Sequence, residues 1–244
     1  MAEKTIQDRF NERLSREDAK VEWEYENPAS FDGHLRIYPT LLCNLDCPYC
    51  VNKQMGMRPV NPRPAERQDW MRAIKDHGRH VVFTGGEPFL YKGLVQVINA
   101  VPQEIKVRVY SNFCLDLRQE LGEIKRRVHF YVSWHPQTKA DREVFLANVL
   151  TMREYSSLFT ADIHAIEAEE SKDELIRDME FFAANGVEIT RDGDQRGFAG
   201  SCQSELKRAV CSKTIYLIGP DGSRYQCVSR LVRGDRPMEN MLVE

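Results

Sequence analysis

Long apolar runs are missing from this sequence. None approaches the roughly 20 consecutive residues that cross a bilayer, so no membrane-spanning segment is expected. The N-terminal stretch MAEKTIQDRFNERLSREDAKVEWEYEN is charged throughout and lacks the apolar core of a secretion signal. Internal repeats, low-complexity tracts and Gly/Ser linkers are also missing. Charge of one sign is not in excess, since Lys and Arg total 34 against 37 Asp and Glu, a net charge of −3. That balance predicts no general attraction to nucleic acid or to an anionic membrane. The chain has 244 residues, 42% apolar and 29% charged, enough to bury one substantial core with a small appendage. Together these absences predict a cytoplasmic protein in a reducing compartment, where clustered cysteines read as metal or redox groups rather than disulfides.

What is present is an alternation. Short β-branched or aromatic runs at 35–43, 80–86, 105–112, 128–134, 158–166 and 187–192 are separated by longer segments of helical period. These are PAERQDWMRAIKDHG, YKGLVQVINAV, LRQELGEIKRR, REVFLANVLTMREY and DELIRDMEFFAANG, the last closing on a helix-stopping Asn185–Gly186. Six strands alternating with five helices predict an α/β fold with a parallel sheet and right-handed crossovers, open or curled as a partial barrel. Ligands of such sheets sit at the C-terminal ends of the strands. The polar features fall there: CNLDCPYC after the first run, TGGEP after the second, YSN after the third and SWHP after the fourth.

Seven cysteines are present, and three of them, Cys43, Cys47 and Cys50, lie within eight residues. Thiolates are soft ligands that suit zinc or iron–sulfur clusters. Zinc sites usually close with four protein ligands, and this loop offers three, with no Cys or His close by to complete the set. Three thiolates on a 4Fe–4S cluster would leave one iron open. Zinc with a remote fourth ligand is the alternative.

The loop CNLDCPYC resembles the C-x3-C-x2-C signature of radical SAM enzymes, including the aromatic Tyr49 before the last cysteine, and Gly85–Gly86–Glu87–Pro88 follows the second strand as that family's S-adenosylmethionine-binding motif does. The resemblance covers about residues 35–192. It implies a partial (β/α)6 TIM-type barrel in which Cys43, Cys47 and Cys50 bind a 4Fe–4S cluster whose fourth iron takes S-adenosylmethionine. One electron would then cleave the sulfonium and yield a 5′-deoxyadenosyl radical that abstracts hydrogen from a substrate carbon. It further implies that the Gly85–Gly86 backbone and the Glu87 carboxylate take the cofactor's amino group. Glycine would allow close backbone approach to that ligand. Ser111 and Asn112 stand where many members carry a polar cluster near the cofactor, with Phe113 in place of the usual Gly. Ser133 occupies a ribose-binding position, and the continuation Trp134–His135–Pro136 departs from the family. His135 is a candidate substrate contact or proton donor. Arg191 is a candidate partner for the cofactor carboxylate, because its fork matches a carboxylate bidentately. His164 reads as a core residue, His34, His77, His80 and His129 as structural or surface residues, and Cys114 as a small buried hydrophobe.

After residue 192 the pattern changes to a Gly-rich stretch and a hairpin, TIYLIGPDGSRYQC, turning at Pro220–Asp221–Gly222. Cys202, Cys211 and Cys227 fall here, and the region resembles the twitch and SPASM extensions of radical SAM enzymes. That implies an auxiliary 4Fe–4S cluster in a module at 193–244, after an N-terminal extension at 1–34 and the barrel at 35–192. Zinc or free structural thiols are the alternatives. The resulting expectation is a radical SAM enzyme acting on a peptide or a small sugar- or nucleotide-type molecule, with a flavodoxin- or ferredoxin-type electron donor. The rivals are an activating enzyme for a glycyl-radical protein and a non-catalytic iron–sulfur or zinc protein.

Overall fold

The alternation along the chain is also the alternation in space. The computed structural model describes residues 34–54, 65–78, 80–136, 140–193, 216–225, 228–233 and 239–240. Strands β1 (Leu35–Thr40), β2 (Val81–Gly85), β3 (Val107–Ser111), β4 (Val128–Trp134), β5 (Phe159–Glu167) and β6 (Thr190–Gly193) run parallel and lie side by side in chain order. The connections carry α1 (Val51–Gln54), α2 (Arg67–His77), α3 (Leu94–Ala100), α4 (Arg118–Glu123), α5 (Arg142–Glu154) and α6 (Lys172–Ala184). Each strand neighbours the next without a reversal, which is the order of a barrel-type β/α sheet and not of a doubly wound one. The five longer helices and six strands match the sequence expectation; the short α1 behind the cysteine loop was not foreseen.

Helix ends follow local chemistry. At the start of α2, Glu66 and Asp69 form a reciprocal capping box, and Gly78 closes the helix in the left-handed region at φ 63°. Asp141 caps α5 by accepting from the Glu143 and Val144 N–H groups. The predicted stop after α6 is present, with Gly186 at φ 73°.

Period-two alternation divides the two faces of the sheet. Ile37, Phe83, Val107, Val109, Phe130, Val132 and Phe159 pack with Trp70, Ile74, Ile98, Leu121, Phe145 and Phe182 of the helices in one core. The opposite face is polar and aromatic, and carries Tyr110, Tyr131, Ser133, Asp162 and His164. In β1, three residues match two of β2 between Ile37 and Thr40, an irregularity that falls at Pro39, whose nitrogen has no proton for the ladder. The chain therefore shifts register just before it enters the cysteine loop.

The predicted hairpin is also present, as β7 (Tyr216–Ile218) and β8 (Ser223–Tyr225), antiparallel around a turn with Gly222 at φ 76°. Its placement was not foreseen. β7 pairs in parallel with β1, and β8 pairs with β9 (Glu239–Asn240), so these strands extend the main sheet beyond the first strand. Tyr38 and Leu41 join Leu217, Tyr225 and the α7 (Val228–Arg233) residues Leu231 and Val232 in a second, smaller core. The hairpin covers what would otherwise be the open edge at β1.

Candidate functional site: the thiol loop at the strand ends

The cysteine loop leaves β1 at the carboxyl rim and is anchored from four sides. Leu45, Cys47 and Tyr49 are buried together with Ala168, against Cys50, Cys114 and Ile166. The Tyr49 hydroxyl donates to the Pro136 carbonyl at 3.2 Å, tying the loop to the end of β4. Lys53 pairs with Asp46 across the loop. The Asn44 amide donates to the Cys114 carbonyl at 3.2 Å beyond β3. Cys47 is buried, Cys50 half-buried and Cys43 exposed.

The chemistry of these thiols fits a cluster. Burial, then the neighbouring Cys50 and Cys43 sulfurs, pushes the Cys47 thiol up to about 12. Burial also raises Cys43, opposed by the Leu45 N–H that donates to its sulfur. A nearby positive charge, such as bound metal provides, opposes these upward shifts at Cys43 and Cys47 and favours their thiolates. Among the described residues no group of three or more His, Cys, Asp or Glu side chains closes around a single-ion site. A mononuclear tetrahedral centre needs such closure at about 2.0–2.3 Å from one point. A cuboidal cluster instead takes one thiolate per iron, as the three cysteines of this loop would supply.

The GGEP turn is built against this loop. Gly86 N–H donates to the Thr40 carbonyl at 3.1 Å and Glu87 N–H to the Leu42 carbonyl at 2.8 Å. A Cβ on Gly85 would stand 2.3 Å from the Thr40 carbonyl oxygen, and one on Gly86 would stand 2.0 Å from that of Leu42. The space each glycine's missing Cβ leaves is thus filled by backbone carbonyls, of the last residue of β1 for Gly85 and of the start of the cysteine loop for Gly86. Gly85 also has φ 137°, which favours glycine by itself. Pro88 is buried and opens a 3-10 turn, Pro88–Leu90, capped by the Glu87 carboxylate through Phe89 N–H at 3.1 Å.

Glu87 is 0% exposed and accepts two further hydrogen bonds, from Ser111 Oγ at 2.9 Å and Asn112 N–H at 2.8 Å. Burial pushes its carboxyl up to about 7 against the lowering effect of those donors. The side chain therefore braces the end of β2 to the end of β3. Ser111 is occupied in the same brace, because its Oγ also accepts from Phe113 N–H at 3.1 Å. Phe113 has φ 51°, a left-handed conformation rare for a bulky side chain, and is fully buried edge-on to Phe130 at 5.4 Å. Core packing fixes this left-handed bend with a phenylalanine in it. Asn148 of α5 holds the bend from below, donating to the Phe113 and Leu115 carbonyls and accepting from Leu117 N–H.

At the end of β4, Ser133 Oγ and His135 Nε2 lie 2.9 Å apart, and the His135 ring stacks on Tyr49 at 5.9 Å. Burial lowers His135 to about 4, so the ring is a neutral imidazole at neutral pH, not an imidazolium acid. Arg191 does not join the site. It is exposed and pairs in register with Ala165, whose side chain belongs to the helix-side core. Its neighbour Asp192 takes the inward position and accepts from the Tyr131 hydroxyl at 2.8 Å. Cys202, Cys211 and Cys227 lie outside the described residues.

The polar face of β3–β6 holds side chains that the sequence reading assigned to structure. Tyr131 packs between Tyr110 at 4.8 Å and His164 at 4.4 Å. His164 Nδ1 meets Thr190 Oγ1 at 2.9 Å, and His129 Nε2 meets Asp162 at 3.1 Å. A signal was available: VHFYVSW and FTADIHAI alternate apolar with polar or aromatic residues, whereas strands covered on both faces read as nearly continuous apolar runs.

A parallel β/α sheet with a thiol loop and a Gly-Gly-Glu turn interlocked at its carboxyl rim defines the class: a partial-barrel protein with a thiol-rich rim. A profile of the Radical SAM superfamily matches residues 37–160, and the chain belongs to that superfamily of enzymes. A curated relative, 7-carboxy-7-deazaguanine synthase of Clostridium acetobutylicum, is 34% identical over 83 residues, 33% of this chain and 38% of that protein. A probable GTP 3′,8-cyclase of Archaeoglobus fulgidus is 38% identical over 81 residues, 32% of this chain and 27% of that protein. The chain thus spans well under half the length of the curated relatives it matches.

Among solved structures, Streptococcus suis SuiB bound to precursor peptide SuiA superimposes with TM-score 0.53 at 14% identity, covering 87% of this chain and 63% of that one. SuiB bound to S-adenosylmethionine gives 0.56 at 15% identity, covering 87% and 64%. The tagged protein anSMEcpe with bound AdoMet gives 0.55 at 13%, covering 85% and 74%. These likenesses confirm the partial-barrel fold. Membership of the family implies a 4Fe–4S cluster and S-adenosylmethionine. Among the described residues no helix is long and apolar enough to cross a membrane.

Proposed function

We propose that this protein cleaves S-adenosylmethionine reductively and modifies a peptide or small-molecule substrate by hydrogen-atom abstraction. The observation that carries this reading is the interlock of the two motifs: Gly86 donates to Thr40 at the end of β1 and Glu87 to Leu42 at the start of the loop that bears Cys43, Cys47 and Cys50. These cysteines would hold the cluster, one iron each. When bound, the cluster and S-adenosylmethionine supply one electron and a 5′-deoxyadenosyl radical able to take hydrogen from an unactivated carbon.

The chain's own residues position and enclose that chemistry. The backbone at Gly85–Glu87 and the Ser133–His135 pair are proposed to receive the amino-acid and ribose ends of S-adenosylmethionine. Glu87 and Ser111 are committed to each other, so their part is to hold the rim in shape. Tyr49 seals the loop against β4 and keeps water from its inner side. The polar face around Tyr131, His164 and Asp192 is proposed to receive the substrate. A peptide is favoured by the fold shared with SuiB, whose structure contains a precursor peptide. Cys202, Cys211 and Cys227 are proposed to hold an auxiliary cluster in a twitch- or SPASM-like segment, with a flavodoxin- or ferredoxin-type protein as donor.

The test is anaerobic purification with iron and sulfide assay, then dithionite and S-adenosylmethionine. About eight irons per chain, by two-cluster counting, with release of 5′-deoxyadenosine is the expected result. Serine at Cys202, Cys211 and Cys227 together should lower this to about four irons. Zinc in place of iron, with no cofactor cleavage, would overturn the reading.

A further inference from the structure

We propose that Asn112 is a tuning residue: its side-chain amide donates to the sulfur of Cys43 and sets how readily the cluster on that loop accepts an electron. The inference rests on the reading of the cysteine loop given above. Oriented N–H donors stabilise the more negative, reduced state of an iron–sulfur cluster and raise its potential.

The orientation of the amide is determined by its partners. Asn112 Oδ1 accepts from Cys114 N–H at 2.8 Å, so the other end of the amide is the NH2 group. That group has two protons and two acceptors, Asn44 Oδ1 at 2.9 Å and Cys43 Sγ at 3.7 Å. The sulfur receives a second N–H from Leu45 at 3.5 Å. The backbone of Asn112 is fixed as well, because its N–H donates to the buried Glu87 carboxylate at 2.8 Å. The left-handed turn at Phe113, φ 51°, directs the chain so that Asn112 and Cys114 both face the loop. A continuous hydrogen-bonded line therefore runs from the GGEP turn through the end of β3 to the first cysteine. It explains why a residue 5% exposed at a strand end is an asparagine: each polar atom of its side chain has a partner, and one partner is a metal-binding sulfur.

The experiment is a mediator-poised redox titration of the anaerobically reconstituted full chain, followed by the EPR signal of the reduced cluster. Wild type is compared with Asn112→Ala and Asn112→Ser. The serine hydroxyl can still accept from Cys114 N–H in the same kind of local turn, but it is too short to reach Cys43. Both variants are expected to hold the wild-type content of iron and sulfide. Their reduction equilibrium should fall about tenfold, which is about 59 mV more negative for a one-electron couple. Midpoints within about twofold of the wild-type equilibrium (about 18 mV on the same scale) in both variants would overturn the proposal while leaving the cluster reading intact. Failure of both variants to take up a cluster that wild type holds would make Asn112 a folding requirement of the loop and would also overturn it. Wild type without any cluster would instead sink the underlying reading.

Discussion

Glu87 carries an unusual load for one side chain. Its carboxyl is fully buried and pushed up to about 7 from an ordinary 4.5. Between those two values the folded state holds more proton than the unfolded state, so stability falls as pH rises through that window. In the cluster-free protein, the stability difference between wild type and Glu87→Gln should therefore change across pH 4.5 to 7 by at most about 3 kcal/mol, as read by urea unfolding at each pH. A flat difference would show that the carboxyl does not titrate there. Gly86 is constrained by geometry alone. Gly86→Ala puts a Cβ onto the Leu42 carbonyl, and the loop must move; unfolding should show a loss of roughly 3 kcal/mol or more, with iron uptake reduced in parallel. Both residues were conspicuous in the sequence, but their partners within the protein were not. The glycines read as a cradle for a ligand and the glutamate as a ligand contact, while their contacts within the protein, to Thr40, Leu42, Ser111 and Asn112, come from segments far along the chain.

The elements were easier to read than their joints. Every longer helix and every barrel strand coincides with a segment read from periodicity, with one end displaced by a residue in β5, β6 and α6, since one apolar face per element is enough to mark it. The joints depend on single polar side chains whose partners lie far along the chain. Asn148 is the plainest case: a polar residue in the apolar stripe of α5, 0% exposed, holding two carbonyls and one N–H of the bend after β3. Asn148→Ala should cost about 2–4 kcal/mol, the cost of leaving several buried backbone groups without partners. Urea midpoints would check this, and hydrogen exchange at Leu117 should rise in the same variant. The face of the sheet turned away from the helices was legible in principle, since His129, Tyr131 and Ser133 alternate with Phe130, Val132 and Trp134. Arg191 shows the converse, because strand-end position alone does not give the parity that sets it in register with Ala165.

At the scale of the molecule, the Tyr110–Tyr131–His164 stack and the Asp162 and Asp192 carboxylates give one polar surface at the foot of the rim. Under the proposed function, Tyr131→Phe and His164→Ala should lower the amount of modified substrate formed per 5′-deoxyadenosine released. Quantifying both products in one reaction checks this, and an unchanged ratio would remove that face from substrate handling. The tail was legible as a hairpin from Pro220–Asp221–Gly222, but not as part of the main sheet, because nothing local in three-residue strands says which partner they will choose.

That choice bears on the order in which the molecule can be completed. The first strand leads straight into the cysteine loop, yet one of its two neighbours, β7, lies far along the chain and is synthesised after the six barrel strands. A nascent chain with only its barrel emerged would still have Leu41, two positions before the first thiol, without the apolar cover that Leu217 and Leu231 provide. Under the proposed function, loading before β7 has emerged would meet a loop with one flank unsupported, so uptake of iron should follow the pairing of β7 with β1.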